Sequence, residues 1–364
     1  DLQFNHKENN ILEIGVAGGH SIALWDVYFK HPNKQIYGLD IDLSRISANI
    51  KNKSHIHLFE MDGTNAETPK NINKKFDIII DDASHFQHHQ IATLDLFLPY
   101  LSFNGIYIIE DIDPKDNIHD KLLQVANKHN FIMEWHDLRD LSPVHRFDNI
   151  MAVFKKKIDS EEAIMYCEEK NIEGDYVECG VFEGHHPILA CNTILKNNYT
   201  LRNIHMYDTY EGLVKPGKYD YSTSDPIFHM NSNEVMQMWE QHIENEKTNK
   251  WCYCSLDKVK QNVNATKYPT EKLFFIKGDV MKTLDDNKKL PEKIAILRLD
   301  TDWYESSKFE LIKLYDRVVD GGIIILDDYF HWDGQRRATD EFFSEKKINK
   351  IILKNNKKTG YFIK

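Results

Sequence analysis

Two apolar segments near the C-terminal end of the chain, which are typical of buried strands, are each followed by a pair of aspartates. Ligands of open α/β sheets bind beyond the carboxyl ends of the strands, so the four carboxylates should converge on one point. Oxygen donors without cysteine favour a hard cation such as Mg²⁺, Mn²⁺ or Ca²⁺. A single aspartate after a strand is more often a turn former or a helix N-cap, but two pairs together favour a metal site. The four residues are Asp300, Asp302, Asp327 and Asp328.

The same stretch carries the motifs LRLDTDWYES, ILDDYFHW and RRATDEFF. In these motifs the chain resembles the macrocin O-methyltransferase family, enzymes that methylate sugar hydroxyls of antibiotics with S-adenosylmethionine and a divalent metal. The resemblance extends from Gly174 to the C-terminus. It implies that Asp300, Asp327 and Asp328 hold the metal, Mg²⁺ or Mn²⁺, and that Asp302 is the general base.

The chain contains the same series of motifs twice, which predicts two domains of one architecture. ILEIGVAGGHS in the first half corresponds to DYVECGVFEGHH in the second, FDIIIDDASH corresponds to IAILRLDTDW, and FNGIYIIEDID corresponds to DGGIIILDDYF. Continuous apolar strands that alternate with helical segments predict parallel sheets covered on both faces. We therefore expect an α/β protein of two tandem doubly wound (Rossmann-like) domains, residues 1–157 and 158–364. The second copy contains an insertion at about 213–272, which is either a lid or substrate wall or an ordinary surface loop.

Length and composition narrow the function classes. A chain of 364 residues is long enough for two domains of ordinary size. No apolar run approaches the ~20 residues of a membrane span, and the net charge of −11 argues against nucleic acid as a partner. The five cysteines follow no zinc spacing, which favours reduced thiols in the cytoplasm. We expect no membrane partner, and assembly into a homo-oligomer is one alternative. The chain should begin at a trimmed or disordered boundary.

In each half the first strand ends in an acidic residue and a glycine-rich turn. Glycines let the backbone turn tightly and approach a ligand at the N-terminus of the next helix. The turn is similar to motif I of class I methyltransferases, which holds the amino-acid end of S-adenosylmethionine. An acidic residue after the second strand is placed to accept the ribose hydroxyls, and one after the third strand matches where the family binds adenine. The predicted cofactor-binding residues are Glu13, Gly15, Gly18, Asp40 and Asp62 in the first half, and Glu178, Gly180, Gly184, Asp208 and Asp279 in the second.

The first half resembles a second group, the catalytic domain of the mycinamicin 2-hydroxyl O-methyltransferase type, through the motifs DDASH and YIIED within residues 9–112. This resemblance implies metal ligation by Asp82, Glu110 and Asp111, with His85 as the base. An alcohol ionises poorly at neutral pH, but a metal lowers the pKa of an oxygen bound to it, and a nearby histidine can then take the proton. The alternative for His85 is a capping or surface residue.

The second half departs from its family pattern at His185 and His186, which replace two small residues after Gly184. Bulk at this place could impede the cofactor. The favoured interpretation is a sugar O-methyltransferase that depends on a metal and S-adenosylmethionine, with one site per domain acting on adjacent hydroxyls of a glycan or a sugar-containing small molecule. One alternative has a single catalytic domain, the other being a degenerate binding or dimerisation module. Another alternative is a catechol-type small-molecule O-methyltransferase.

Overall fold

Two compact units, Asp1–Lys157 and Ile158–Lys364, divide the chain. Within the residues that the structure describes, each unit is built around one seven-stranded sheet. The computed structural model describes residues 8–141, 149–223, 229–286, 290–350 and 352–364.

In the first unit the sheet has the strand order β3-β2-β1-β4-β5-β7-β6. β7 is antiparallel to its two neighbours, and the other pairs are parallel. The strands are β1 (Asn10–Ile14), β2 (Gln35–Asp40), β3 (Ile56–Glu60), β4 (Phe76–Asp81), β5 (Leu101–Ile109), β6 (Phe131–Asp137) and β7 (Ile150–Lys156). The helices are α1 (His20–Tyr28), α2 (Ala48–Lys51), α3 (Thr68–Ile72), α4 (Gln87–Phe97) and α5 (Ile118–Lys128).

The second unit repeats this order as β10-β9-β8-β11-β12-β14-β13. Again the next-to-last strand, β14, is antiparallel to both neighbours. The strands are β8 (Asp175–Cys179), β9 (Ile204–Asp208), β10 (Leu273–Lys277), β11 (Ile294–Leu299), β12 (Val318–Leu326), β13 (Leu353–Lys354) and β14 (Gly360–Ile363). The helices are α6 (Ser160–Glu169), α7 (His185–Asn197), α8 (Ser232–Gln241), α9 (Leu256–Asn264), α10 (Val280–Thr283), α11 (Tyr304–Leu314) and α12 (Asp333–Lys346).

The central strands are apolar because they lie between two layers of helices. All six residues of β11 are buried, and apolar side chains from both faces of the sheet form the cores. The shared strand order confirms the predicted fold of two tandem doubly wound domains. None of the helices in the described ranges combines the length and the apolar character needed to cross a bilayer.

The strand order places one crevice at the centre of each sheet. Strands are added outward in one direction from β1 through β3 and in the other from β4 onward, and the second unit does the same from β8 and β11. Doubly wound sheets bind ligands at this switch point, beyond the carboxyl ends of the strands. Each unit has its predicted metal-ligating carboxylates just after the two central strands at this edge of its own sheet.

Candidate active site

Three carboxylates converge at the carboxyl ends of β11 and β12. Asp300, Asp327 and Asp328 each offer one oxygen, and these oxygens lie within 4.8 Å of one another. They meet because β11 and β12 pair in parallel with Leu299 opposite Leu326, so the residues that follow leave the sheet side by side. Among the described residues, Oδ2 of Asp328 has no hydrogen-bond partner although it is buried. A buried carboxylate oxygen without a donor is costly, and a bound cation would satisfy it, so these residues fit a divalent metal.

A buried arginine contacts this acidic cluster from within β11. Nη2 of Arg298 donates to Oδ2 of Asp300 at 3.0 Å and to Oδ1 of Asp327, and its Nε lies 3.5 Å from Oε1 of Glu178. Burial opposes ionisation of Asp327, but the attraction of Arg298 outweighs it and the pKa of Asp327 is lowered. Burial raises the pKa of both Asp300 and Asp328 well above the ordinary value. Sequence reasoning missed Arg298; the available signal was one charged residue within the apolar run IAILRL.

Asp302, the predicted base, lies in the same pocket as the three carboxylates. Its backbone is left-handed, with φ of 65°. The indole Nε1 of Trp332 donates to its Oδ1 at 2.9 Å. Burial raises the pKa of Asp302 to about 7, against the opposing effect of the Trp332 hydrogen bond. A carboxylate whose pKa lies near neutral pH is suited to accept a proton from a substrate.

Three tryptophans connect the inserted segment 213–272 to the acidic cluster. The ring centroids of Trp303 and Trp332 are 5.1 Å apart, and that of Trp251 lies 5.8 Å from Trp303. Nε1 of Trp303 donates to the carbonyl of Val214 at 2.8 Å. Three residues of the insertion, Leu213, Val214 and Cys252, line the pocket that contains the four aspartates. The insertion therefore forms one wall of this pocket.

The glycine turn after β8 reaches the same pocket. Gly180 has φ of 85°, and a Cβ at this position would collide with the carbonyl oxygen of Asp300, so only glycine fits. Oδ2 of Asp208 accepts hydrogen bonds from the backbone N–H groups of Val181 at 2.7 Å and Phe182 at 3.1 Å. Asp208 thus holds the turn against the end of β9. Gly180, Asp208 and Asp279 line the pocket.

Two other predicted cofactor residues of the second unit lie outside the pocket lining. Glu178 is buried within the sheet, where it accepts a hydrogen bond from the hydroxyl of Tyr176 at 2.8 Å. Burial raises its pKa to about 8. Gly184 is the N-cap of α7, with φ of 87°. Neither residue forms part of the pocket surface.

The two histidines after Gly184 also lie outside the pocket lining. His185 is exposed at the start of α7, and His186 is half-buried. Burial, together with the positive charge of Arg298, lowers the pKa of His186 to about 3. The departure from the family pattern therefore places no bulky side chain among the lining residues of the pocket.

The glycine turn of the first unit has nearly the same geometry. Gly15 has φ of 93°, and a Cβ there would lie 2.5 Å from the carbonyl oxygen of Asp82. Oδ2 of Asp40 accepts a hydrogen bond from the N–H of Ala17 at 2.7 Å. Gly15, Asp40, Asp62 and Asp82 line a pocket in this unit.

Glu13 and Gly18 lie outside the lining of this first-unit pocket. Glu13 is buried and accepts a hydrogen bond from Nε1 of Trp25 at 3.1 Å, and burial raises its pKa to about 7. The counterpart of Gly184 is Gly19 rather than Gly18, because Gly19 is the N-cap of α1 with φ of 79°. The sequence G-V-A-G-G left this choice between neighbouring glycines open.

The first unit brings together a different set of metal-ligating groups. Asp82, His85 and Asp111 offer ligand atoms within 4.8 Å of one another. His85, predicted as the base, is thus among the candidate ligands. Glu110, predicted as a ligand, lies outside this group, although burial and the negative charges of Asp82 and Asp111 raise its pKa. Two carboxylates and an imidazole are a donor set that fits a divalent cation such as Mn²⁺.

Comparison with known proteins assigns both halves to methyltransferase families. The Macrocin-O-methyltransferase family model matches residues 146–364, and a Methyltransferase domain model matches residues 12–112. Mycinamicin VI 2''-O-methyltransferase of Micromonospora griseorubida is 33% identical over 30% of this chain and 28% of its own length. Demethyldecarbamoylnovobiocin O-methyltransferase of Streptomyces niveus is 28% identical over 50% of this chain and 64% of its own.

A further relative is 8-demethyl-8-alpha-L-rhamnosyl tetracenomycin-C 2'-O-methyltransferase of Streptomyces olivaceus, which is 29% identical over 30% of this chain and 30% of its own length. The matched regions thus span less than two thirds of each of these three relatives.

Proposed function

The chain belongs to the macrocin-O-methyltransferase family, and from this premise we propose that it methylates sugar hydroxyls of a glycan or a sugar-containing small molecule. The methyl donor is S-adenosylmethionine, and the reaction requires a divalent metal, Mg²⁺ or Mn²⁺. One observation supports this above all others: the three converging carboxylates and the glycine turn line a single pocket. A relative named for methyl transfer to a rhamnosyl group supports the sugar acceptor.

The side chains of the candidate active site in the second unit divide the tasks of this reaction among them. When bound, S-adenosylmethionine supplies an electrophilic methyl group and the divalent cation lowers the pKa of a hydroxyl that it binds. Asp300, Asp327 and Asp328 hold the cation, and Asp208 holds the glycine turn for close approach to the donor. Asp302 accepts the proton of the acceptor hydroxyl, with its carboxylate oriented by the indole N–H of Trp332. Methyl transfer needs an aligned nucleophile, so positioning of the hydroxyl supplies much of the acceleration.

The insertion at 213–272 is proposed to shape the acceptor pocket. Leu213, Val214 and Cys252 line the pocket together with Asp302. The packing of Trp251 on Trp303, and of Trp303 on Trp332, connects this wall to the tryptophan that donates to Asp302. An apolar wall also excludes water, which strengthens the electrostatic effects of the carboxylates on the reaction. We expect changes in this segment to alter the choice of acceptor more than cofactor binding.

The first unit is proposed to carry a second methylation site. Asp82, Glu110 and Asp111 would hold its metal, and His85 would act as the base. Two sites in one chain would keep the product of the first reaction near the second site at a high effective concentration if they share one substrate. The expected product is a sugar that gains two methyl groups on adjacent oxygens.

One observation favours the alternative in which only the second domain is catalytic. The ligand atoms of His85 lie with those of Asp82 and Asp111, and a histidine that binds the cation is not available to accept the substrate proton. In that case the first unit would bind a metal without performing the transfer.

Mass spectrometry of the methylated product from wild type, Asp82→Ala and Asp300→Ala tests the proposal. Two added methyl groups are expected for the wild type, and one for each of the two variants. Asp285→Ala, which removes an exposed carboxylate paired with Lys313, is the control and should give two. A wild-type product with a single methyl group that survives Asp300→Ala would contradict catalysis by the second domain. A single methyl group that survives Asp82→Ala would support the alternative.

A further inference from the structure

The candidate metal site of the second unit contains a protein cation of its own. Arg298 is 3% exposed and contacts two of the three carboxylates proposed as metal ligands. We infer that Arg298 is an internal counter-ion, which compensates the charge of Asp300 and Asp327 while the metal is absent and opposes binding of the cation by its own positive charge. This inference rests on the proposed function, since it takes these aspartates as metal ligands.

Arg298 lies among several carboxyl groups. Asp300, Asp302, Asp327 and Asp328 line one pocket, and both Asp300 and Glu178 lie within ion-pair distance of Arg298, so the site brings carboxyl groups together at the ends of three strands. Like charges held together in a buried place repel, and a carboxylate left without a partner there is strongly destabilising. A guanidinium neutralises part of this charge while the metal is absent.

The geometry directs the guanidinium toward the metal ligands rather than toward the glutamate. Nη2 of Arg298 donates to both aspartates, whereas Nε has no hydrogen-bond partner among the described residues and lies 3.5 Å from Oε1 of Glu178. One donor group therefore connects the residue after β11 with the residue after β12. If a cation occupied Asp300 and Asp327, the carboxyl group of Glu178 would still lie 3.5 Å from Nε of Arg298. The arginine thus keeps a partner in both states.

The first unit provides an internal comparison. Ile80 stands at the position of Arg298, because Glu13 pairs with Ile80 in the first sheet as Glu178 pairs with Arg298 in the second. Glu13 accepts its hydrogen bond from Trp25 instead of facing an arginine. Two sites of the same architecture thus differ in this buried charge.

The test uses the full chain with Asp82→Ala, so that Mn²⁺ binding reports on the second unit. Mn²⁺ affinity is measured by electron paramagnetic resonance, and the melting temperature is measured with and without Mn²⁺. Arg298→Met should lower the melting temperature of the metal-free protein, and Mn²⁺ should restore more stability than in the parent. Its Kd for Mn²⁺ should fall by about tenfold or more, because a unit positive charge close to the cation has been removed.

Three further variants separate charge from packing. Arg298→Lys keeps the charge and should bind Mn²⁺ like the parent. Arg298→Gln keeps a hydrogen-bond donor without the charge; it should behave like Arg298→Met and serves as the measurement if the methionine variant does not fold. Ile80→Met, at the equivalent position of the first unit, is the matched control and should leave Mn²⁺ binding unchanged.

Unchanged or weaker Mn²⁺ binding by the uncharged variants would overturn the inference, as would a loss of melting temperature that Mn²⁺ does not reduce. In that case Arg298 only packs the strand ends. Failure of the Asp82→Ala parent itself to bind Mn²⁺ would instead overturn the metal site of the proposed function, and the inference with it. The two failures are therefore distinguishable.

Discussion

Asp208→Asn should weaken S-adenosylmethionine binding by the second unit, because Asp208 holds the glycine turn in place. Its Oδ2 accepts two backbone hydrogen bonds, from Val181 at 2.7 Å and Phe182 at 3.1 Å, and its Oδ1 accepts a third from Tyr210 at 2.6 Å. Asparagine has one acceptor oxygen, so it cannot accept both from the turn, at Val181 and Phe182, and from Tyr210. A hydrogen bond to a charged group contributes about 1.5–3 kcal/mol, so losing the pair at Oδ2 costs about 3 kcal/mol at the lower end.

This loss should weaken cofactor binding, because a glycine turn without its hydrogen bonds must be ordered when S-adenosylmethionine binds. Every 1.4 kcal/mol changes Kd about tenfold, so the full cost corresponds to an increase of about 100-fold. In the first unit Asp40 accepts a single bond from the turn, at 2.7 Å from the N–H of Ala17. Asp40→Asn should therefore have a smaller effect, about tenfold, on the first site.

Isothermal titration calorimetry on the full chain measures both sites together. Wild type should bind two molecules of S-adenosylmethionine per chain. Asp208→Asn and Asp40→Asn should each retain one site of wild-type affinity. The matched control is Asp175→Asn, at the opposite end of β8, which removes a carboxylate that lies 3.0 Å from Nε2 of His205 without touching the pocket.

Two sites of unchanged affinity in Asp208→Asn, with an unchanged melting temperature, would refute this reasoning. An equal loss of cofactor binding in Asp175→Asn would also refute it, because the effect would then follow from charge or stability in general. A wild-type stoichiometry of one would locate the cofactor in a single domain, and the variant that abolishes binding would identify that domain.

Three further predictions concern the metal, the bases and the dependence of stability on pH. Excess chelator should abolish methyl transfer and Mg²⁺ should restore it; full activity of a metal-stripped sample would contradict the metal requirement. Asp302→Asn and His85→Ala should each slow one methylation by about 10²- to 10⁴-fold without changing cofactor affinity or melting temperature, and loss of either property would identify a structural residue instead. Asp26 is ion-paired with Lys34 and Lys53 and hydrogen-bonded to Nε2 of His55; burial opposes its ionisation, but these bonds outweigh it and its pKa is lowered. The stabilising effect of Asp26 is present above the unfolded pKa of 3.8 and is lost as pH falls through the lowered pKa. Asp26→Asn should therefore lower the free energy of unfolding by about 2 kcal/mol at pH 7 and by less below pH 3.8. An equal decrease at both pH values in thermal unfolding would contradict this.

The fold was predictable because its signal is local and repeated. A buried parallel strand needs a continuous apolar run, and the residues that leave its carboxyl end must be polar or small if they meet a ligand. Both halves of the chain show this pattern in the same order, so the two sheets and the edge that holds each site follow from the sequence. The grouping of Asp300, Asp327 and Asp328 was predictable for the same reason, although their roles in binding and catalysis stay predictions.

The sequence by itself therefore determined the architecture and the strand ends at which chemistry could occur. Only the tertiary structure decided where individual side chains lie relative to the pocket surface. Glu13 and Glu178 are buried within their sheets, and His85 lies with the candidate ligands, because burial and distance depend on neighbours that are remote in sequence. The partners of Arg298 come from three different strand ends, and its pairing with Asp327 joins residues that only the parallel packing of β11 and β12 brings together.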